Sequence, residues 1–204
     1  VFNKLYANLK RYSKDCIVLG FGERFNSLSI LACRMLSLKI FISDRNNPLA
    51  NNGYLNDKIR NLLYPFANGI IAQTEFSKGH FQKLSLNQNI LAIPNPLKDI
   101  VVYPRKSEVK KIITVGRLDK GKNHSQLIEI FSEIGNLSWE LLIVGDGVLR
   151  NELERLIKEL ALEKNVFLVG ASDDVDRWLC EADIFAFTSL HEGFPNALNE
   201  AMAY

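Results

Sequence analysis

Two acidic residues, Glu192 and Glu200, stand near the end of the sequence with Gly193-Phe194-Pro195-Asn196 between them. Pro195 suits a first helical position, where its missing N–H costs nothing. The free backbone N–H groups of a helix start are therefore expected between the two carboxylates. Such a start receives anions, and carboxylates beside it accept hydrogen bonds from hydroxyls. A sugar joined to a diphosphate carries both kinds of group. A capped helix with one solvated glutamate is the plainer account of the same residues.

A second stretch, Gly116-Arg117-Leu118-Asp119-Lys120-Gly121-Lys122-Asn123, has the G-x-x-x-x-G-K spacing of a P-loop. A distant analogue of the second acidic motif follows in Leu141-Leu142-Ile143-Val144-Gly145-Asp146. The match fails at Asn123, where a P-loop needs a Ser or Thr hydroxyl for magnesium. Arg117, Lys120 and Lys122 instead suit a phosphate held without a metal, and surface charges on a connecting loop are the alternative. Gly145-Asp146-Gly147 is only a G-x-G, because Arg150 stands where a dinucleotide fingerprint has its third glycine. Its glycines are read as allowing a tight turn and the close approach of a ligand. His80, His124 and His191 are scattered and far from the cysteines, which gives no zinc pattern. Ser189 and His191 lie close to Glu192, but no G-x-S-x-G elbow is present.

The elements that must position these residues alternate along the chain. In the first half, residues 16–20, 38–43, 70–72 and 90–93 are strand-like runs. Between them lie helical stripes: residues 25–36 with Leu28, Leu31, Ala32 and Met35, and residues 55–66 with Ile59, Leu62 and Leu63. A third helix is expected to follow Thr74, a suitable N-cap, and to run through Leu84. Pro94-Asn95-Pro96 and the polar stretch after it interrupt the rhythm, which places a domain boundary there. The alternation then resumes, with strands at 112–116, 139–144, 166–169 and 184–189. The helices between them carry Leu127, Ile128, Phe131 and Ile134, then Leu149, Leu153, Leu156, Ile157 and Leu160, then a short segment over 175–180. This pattern predicts α/β architecture with parallel sheets covered by helices. Ligands of such sheets bind beyond the carboxyl ends of the strands, so residues 116–122, 145–147, 170–172 and 189–196 are expected to form one rim.

Composition narrows the partners. Of 204 residues, 47% are hydrophobic and 24% charged, enough for an ordinary globular core. Twenty-five basic against 23 acidic residues leave a net charge of +2, too balanced to point to nucleic acid. Cys16, Cys33 and Cys180 are odd in number and far apart, as reduced, buried thiols of a cytoplasmic protein would be. No apolar run approaches the length of a membrane span. Val1 is not an initiator methionine and Tyr204 falls inside an expected helix, so the sequence reads as a fragment with both ends cut.

Three motifs in order carry a resemblance. They are Val115-Gly116-Arg117-Leu118-Asp119-Lys120-Gly121-Lys122-Asn123, then Leu142-Ile143-Val144-Gly145-Asp146-Gly147, then Phe187-Thr188-Ser189-Leu190-His191-Glu192-Gly193-Phe194-Pro195-Asn196, closing on Glu200-Ala201-Met202-Ala203. Together they resemble the donor-binding domain of the retaining GT-B glycosyltransferases of family 4, with Glu192 and Glu200 at that family's E-x7-E positions. Ser43-Asp44-Arg45-Asn46-Asn47-Pro48 and Ile93-Pro94-Asn95-Pro96 are similar to stretches of its bacterial polysaccharide and glycan-assembly members. The resemblance implies a GT-B fold of two Rossmann-like domains, both truncated. Residues 1–95 would be the later part of the acceptor domain, 96–110 an inter-domain linker, and 111–204 the donor-binding domain.

It also implies roles. Arg117 and Lys122 would neutralise the donor's diphosphate as it leaves, with Gly116 in the same loop, while the sugar becomes oxocarbenium-like. Glu192 would hold the donor-sugar hydroxyls, and the backbone of Gly193, Phe194, Pro195 and Asn196 would lie near sugar and phosphate. Gly170 and Ala171 would lie beside the base, and Glu200 would bind the ribose. The expected reaction moves a sugar from a nucleotide-diphosphate donor, UDP-sugar favoured, to a glycan or lipid-linked acceptor with retention, needing neither metal nor cofactor. His191 stands where the family usually has Tyr or Arg, which bears on fine specificity. A peripheral contact with the inner face of the membrane is implied by lipid-linked acceptors, with Lys10, Arg11 and Lys14 as a basic cluster suited to it. A sugar-nucleotide epimerase of GT-B shape, a non-catalytic sugar-nucleotide-binding module and a P-loop NTPase are the competing readings.

Overall fold

Parallel strands need crossovers of a dozen or more residues, and the helical stripes between the apolar runs supply them. The computed structural model describes residues 1–12, 14–49, 53–84, 87, 89–134 and 138–204. They divide into two units, Val1–Pro96 with Glu192–Phe194, and Leu97–His191 with Pro195–Tyr204.

In the first unit α1 (Phe2–Leu9) leads into β1 (Ile17–Phe21), α2 (Glu23–Leu36) and β2 (Lys39–Asp44). Then come α3 (Tyr54–Leu63) with a 3-10 turn (Tyr64–Phe66), β3 (Gly69–Ala72), α4 (Glu75–Lys83) and β4 (Ile90–Ala92). The strands pair in parallel in the order β1-β2-β3-β4. Thr74 caps α4, its hydroxyl accepting from the Ser77 N–H at 3.0 Å. Ile30, Cys33, Ile40, Ile42, Ile70 and Phe81 fill the core around Tyr64.

Two helices of this unit turn other faces inward than their apolar spacing predicts. In α3, Ile59 and Leu62 are exposed while Arg60 is buried and paired with Asp57. In α2, Leu31 and Met35 are exposed while Asn26, Ile30 and Cys33 are buried. A polar network sets both phases. Buried Tyr64 donates to Asp44 Oδ2 at 2.8 Å, and Asn26 donates to the Ser43 carbonyl at 3.1 Å. Buried polar groups must be bonded, so these partners outrank the apolar stripe. The two motifs of this half also meet. Arg45 and Gln73 both donate to Asn95 Oδ1, at 3.0 and 2.8 Å.

The second unit runs β5 (Lys110–Val115), α5 (His124–Ile134), β6 (Trp139–Val144), α6 (Arg150–Glu159), β7 (Val166–Gly170), α7 (Val175–Cys180), β8 (Ile184–Phe185) and α8 (Asn196–Ala201). Its parallel sheet has the order β7-β6-β5-β8. Side chains alternate across β6. Leu141 and Ile143 pack with Ile128, Phe131, Leu153 and Ile157, whereas Leu142 and Val144 face Trp178 and Ala182 on the other side. Helices thus cover both faces, and the strand order reverses beside β5. A crevice at such a reversal, outside the carboxyl ends of the strands, is where doubly wound sheets bind ligands.

Three expectations change here. Only Ile184–Phe185 of the run 184–189 pairs as a strand, extended by one bond from Ala186 N–H to the Ile113 carbonyl at 2.8 Å. Pro195 is the N-cap of α8, not its first helical residue, and Tyr204 lies beyond the helix. Cys33 is buried, but Cys16 and Cys180 are only half-buried; all three are free thiols.

The polar stretch before β5 is fastened to α7 and β8. Asp183 accepts two bonds from Arg105 at 3.0 and 2.8 Å, one from Lys110 Nζ at 2.9 Å, and one from the Lys111 N–H at 2.8 Å. Glu181 accepts from Lys111 Nζ and the Lys106 N–H, both at 2.7 Å. Arg105, with the Lys111 N–H and Lys110, holds the Asp183 carboxyl far below the usual carboxylate range. Lys111 lowers Glu181 in the same way. Lys98 pairs with Asp176 on α7.

Candidate functional site

The loop that leaves β5 is built before any ligand arrives. Its Gly116 N–H continues the ladder to the Val144 carbonyl at 3.0 Å. Leu118 is fully buried and plugs the loop into the core, bonding Asp146 through its N–H and Leu149 through its carbonyl, each at 3.0 Å. With Leu118 turned in, Arg117 is left outside, its side chain 84% exposed and 3.5 Å from Asp119. Lys122 is half-buried, its alkyl chain lying over Gly116 and its ammonium 5.8 Å from the Phe187 ring. An exposed Arg and a half-buried Lys on one short loop form a cationic platform for an anion.

The loop after β6 lies directly against this one. Gly145 has φ 147°, and a Cβ there would run into the Gly116 carbonyl oxygen; one on Gly147 would sit 2.5 Å from the Leu118 oxygen. The space these glycines leave is therefore taken by the neighbouring loop. This corrects the expectation that a ligand approaches there. Gly145 N–H also donates to the Gly170 carbonyl at 2.8 Å, bringing in the end of β7. Ala171 is exposed, and Ser172 Oγ accepts from Trp178 Nε1 at 3.2 Å.

The end of the β8 run closes the loop from the other side. Thr188 Oγ1 bonds the Lys122 and Asn123 carbonyls at 3.1 and 3.3 Å, and Leu190 N–H bonds the Gly121 carbonyl at 2.9 Å. Asn123 takes a left-handed φ of 55°, which lets the chain turn from this loop into α5. So Gly116, Arg117, Lys122 and Gly170 belong to loops that the second unit bonds together.

The remaining expected residues fall elsewhere. Glu192, Gly193 and Phe194 pack with the first unit, where Gly193 lies against the backbone of Arg45 and Asn46. Pro195, Asn196 and Glu200 belong to the second unit. The Pro195 carbonyl accepts from Asn199 N–H at 3.0 Å, Asn196 is exposed, and Glu200 is half-buried beside Lys98. A cavity of about 380 Å³ in this unit lies at the amino end of β8, between Tyr103, Cys180, Asp183 and Tyr204. Its carboxylate, Asp183, is already engaged by Arg105 and Lys110, so the cationic loop is the better candidate site.

Two contributors were not singled out from sequence. Thr188 has no motif of its own; its role depends on a tertiary contact. His124 had a signal, because it stands at helical spacing with Leu127, Ile128 and Phe131. It is buried at the start of α5, with its ring toward the backbone of Arg117 and Gly116. Among the described residues no group of three or more His, Cys, Asp and Glu side chains gathers as a metal-ion site, and no helix is long and apolar enough to cross a membrane.

Comparison with known proteins gives a consistent picture. The model of the family described as glycosyl transferases group 1 matches residues 98–204. An N-acetylgalactosamine-N,N'-diacetylbacillosaminyl-diphospho-undecaprenol 4-alpha-N-acetylgalactosaminyltransferase of Campylobacter jejuni is 34% identical over 231 residues, which cover 99% of this chain and 60% of that protein. This chain thus spans well under two thirds of that relative's length. Among solved structures, S. aureus TarM in complex with Fondaparinux, alpha-GlcNAc-glycerol and UDP superposes with a TM-score of 0.82 at 22% identity, over 98% of this chain and 43% of TarM. Anabaena HepE in complex with UDP and glucose gives 0.76 at 18% identity, over 98% of this chain and 59% of HepE. At these identities the likeness is one of fold, and that fold is GT-B.

Proposed function

Since the chain belongs to the group 1 glycosyl transferases, we propose that it acts, within its whole protein, as a retaining glycosyltransferase. In this reading it moves a sugar from a UDP-sugar to a glycan or lipid-linked acceptor in polysaccharide assembly. The observation that carries the reading is the cationic loop after β5, prebuilt by Leu118 and locked by Thr188, with Arg117 exposed and Lys122 laid over Gly116.

Charge grows on a diphosphate as it departs from a sugar, and fixed cations stabilise that charge without reorganising. Arg117 supplies a planar fork for two phosphate oxygens and Lys122 a point charge. Residues 1–95 then form the later part of the acceptor domain, 96–110 the linker, and 111–204 the donor domain. Glu192 holds the sugar hydroxyls, Gly193 and Phe194 border the sugar, Pro195 and Asn196 border the phosphate, Gly170 and Ala171 lie beside the base, and Glu200 binds the ribose. Two cations supply the charge that a metal provides elsewhere, so the reaction proceeds without one.

The lipid-linked acceptor is supported by the diphospho-undecaprenol in the Campylobacter relative's name, and the UDP donor by the UDP in the TarM and HepE complexes. A lipid-linked acceptor would bring the protein to the cytoplasmic face of a membrane, where the exposed Lys10, Arg11 and Lys14 suit an anionic surface.

Calorimetry of UDP binding to the full-length protein tests the assignment. Arg117→Ala removes a charged donor from an exposed position and is expected to weaken UDP binding about 10- to 100-fold with an unchanged melting temperature. Glu200→Ala is expected to weaken UDP but not pyrophosphate. Wild-type affinity in both variants sinks the site.

A further inference from the structure

His124 is 3% exposed, yet neither ring nitrogen has a hydrogen-bond partner among the described residues. A buried polar group without a partner is uncommon, and it calls for an explanation that a leucine at the same place would not. The ring lies against the backbone of Arg117 and Gly116 without reaching hydrogen-bonding geometry. Burial lowers its pKa from the ordinary 6.5, so the ring is neutral at pH 7 and offers one donor and one acceptor.

The rest of the loop is tied down. Gly116 N–H is held by Val144, Leu118 N–H by Asp146, the Gly121 carbonyl by Leu190, and the Lys122 carbonyl by Thr188. Between these ties, the backbone that carries the Arg117 side chain rests on His124. Resting on the donor reading above, we propose that His124 is a positioning residue for the diphosphate. Phosphate draws Arg117 and Lys122 toward it, the backbone of Gly116 and Arg117 settles onto the ring, and a ring nitrogen gains the bond it lacks in the free loop. His124 then acts through Arg117 without touching the donor.

The test uses the full-length protein, with UDP and magnesium-free pyrophosphate as probes. Exchanging an unpartnered buried polar group for an apolar one of similar shape is neutral or stabilising to the fold. His124→Phe is therefore expected to keep or raise the melting temperature while binding both probes about tenfold more weakly, the loss of one hydrogen bond. His124→Gln, which restores an N–H, is expected to regain most of that affinity. A purely structural histidine cannot give this opposition of effects.

Should His124→Phe lower the melting temperature, His124→Gln and His124→Met decide, being similar in volume and differing in the amide. Weaker probe binding by His124→Met than by His124→Gln supports the proposal, and equal binding overturns it. Wild-type affinity in His124→Phe also overturns it, leaving the donor reading intact. If the wild type binds neither probe, the donor reading falls and this proposal with it.

Discussion

At Gly145 the contact between two loops comes down to one missing methyl group. With φ 147° and the Gly116 oxygen where a Cβ would stand, Gly145→Ala combines backbone strain with overpacking. We expect a loss of about 3 kcal/mol in urea denaturation. A loss under 1 kcal/mol would mean that the loops part easily and that the cationic platform is less rigid than described. The G-x-G spacing was legible in sequence, but its reason was not, since the partner lies 29 positions upstream in a different loop. Thr188 shows the same limit: nothing around it marks a hydroxyl that will bond the Lys122 and Asn123 carbonyls.

Among the elements, apolar spacing read α6 well and α3 badly. In α6 nothing competes with the stripe, and Leu153 and Ile157 are buried. In α3 the hydrogen bond from Tyr64 to Asp44 turns the helix, burying Arg60 and exposing Ile59 and Leu62. Periodicity is a statement about oil and water and carries no information on which tyrosine will reach which aspartate.

The stretch before β5, read from its prolines and charges as a linker, is an element in its own right through Arg105, Lys106 and Lys110. Asp183 and Glu181 have folded pKa values depressed below their ordinary 3.8 and 4.5. Their contribution is complete above those ordinary values and drains away as pH falls through them. The urea midpoint should therefore drop between about pH 5 and pH 3. Asp183→Asn should lower the midpoint at pH 7 and flatten that acid limb; a variant with wild-type stability at pH 7 and the same limb would remove the strap from the account.

For the molecule as a whole, two parallel sheets were legible because βαβ rhythm survives any error in helix phase. The donor reading makes a prediction at this scale. UDP should raise the melting temperature of the full-length protein in EDTA as much as in magnesium, since ligand binding to the folded state alone raises stability. A shift seen only with magnesium would favour the NTPase reading.

One feature of the sheet also bears on how the protein comes to life. β5 pairs with β8, joining Ile112 to Ile184, and Thr188 locks the loop immediately afterwards. Such distant pairing forms late, because a long stretch of chain must close before the contact rewards it. A nascent chain halted on the ribosome with β7 emerged but β8 still in the tunnel would hold Arg117 and Lys122 on an unlocked loop. Competence to hold nucleotide would then switch on within a few residues of synthesis, as Thr188 clears the exit.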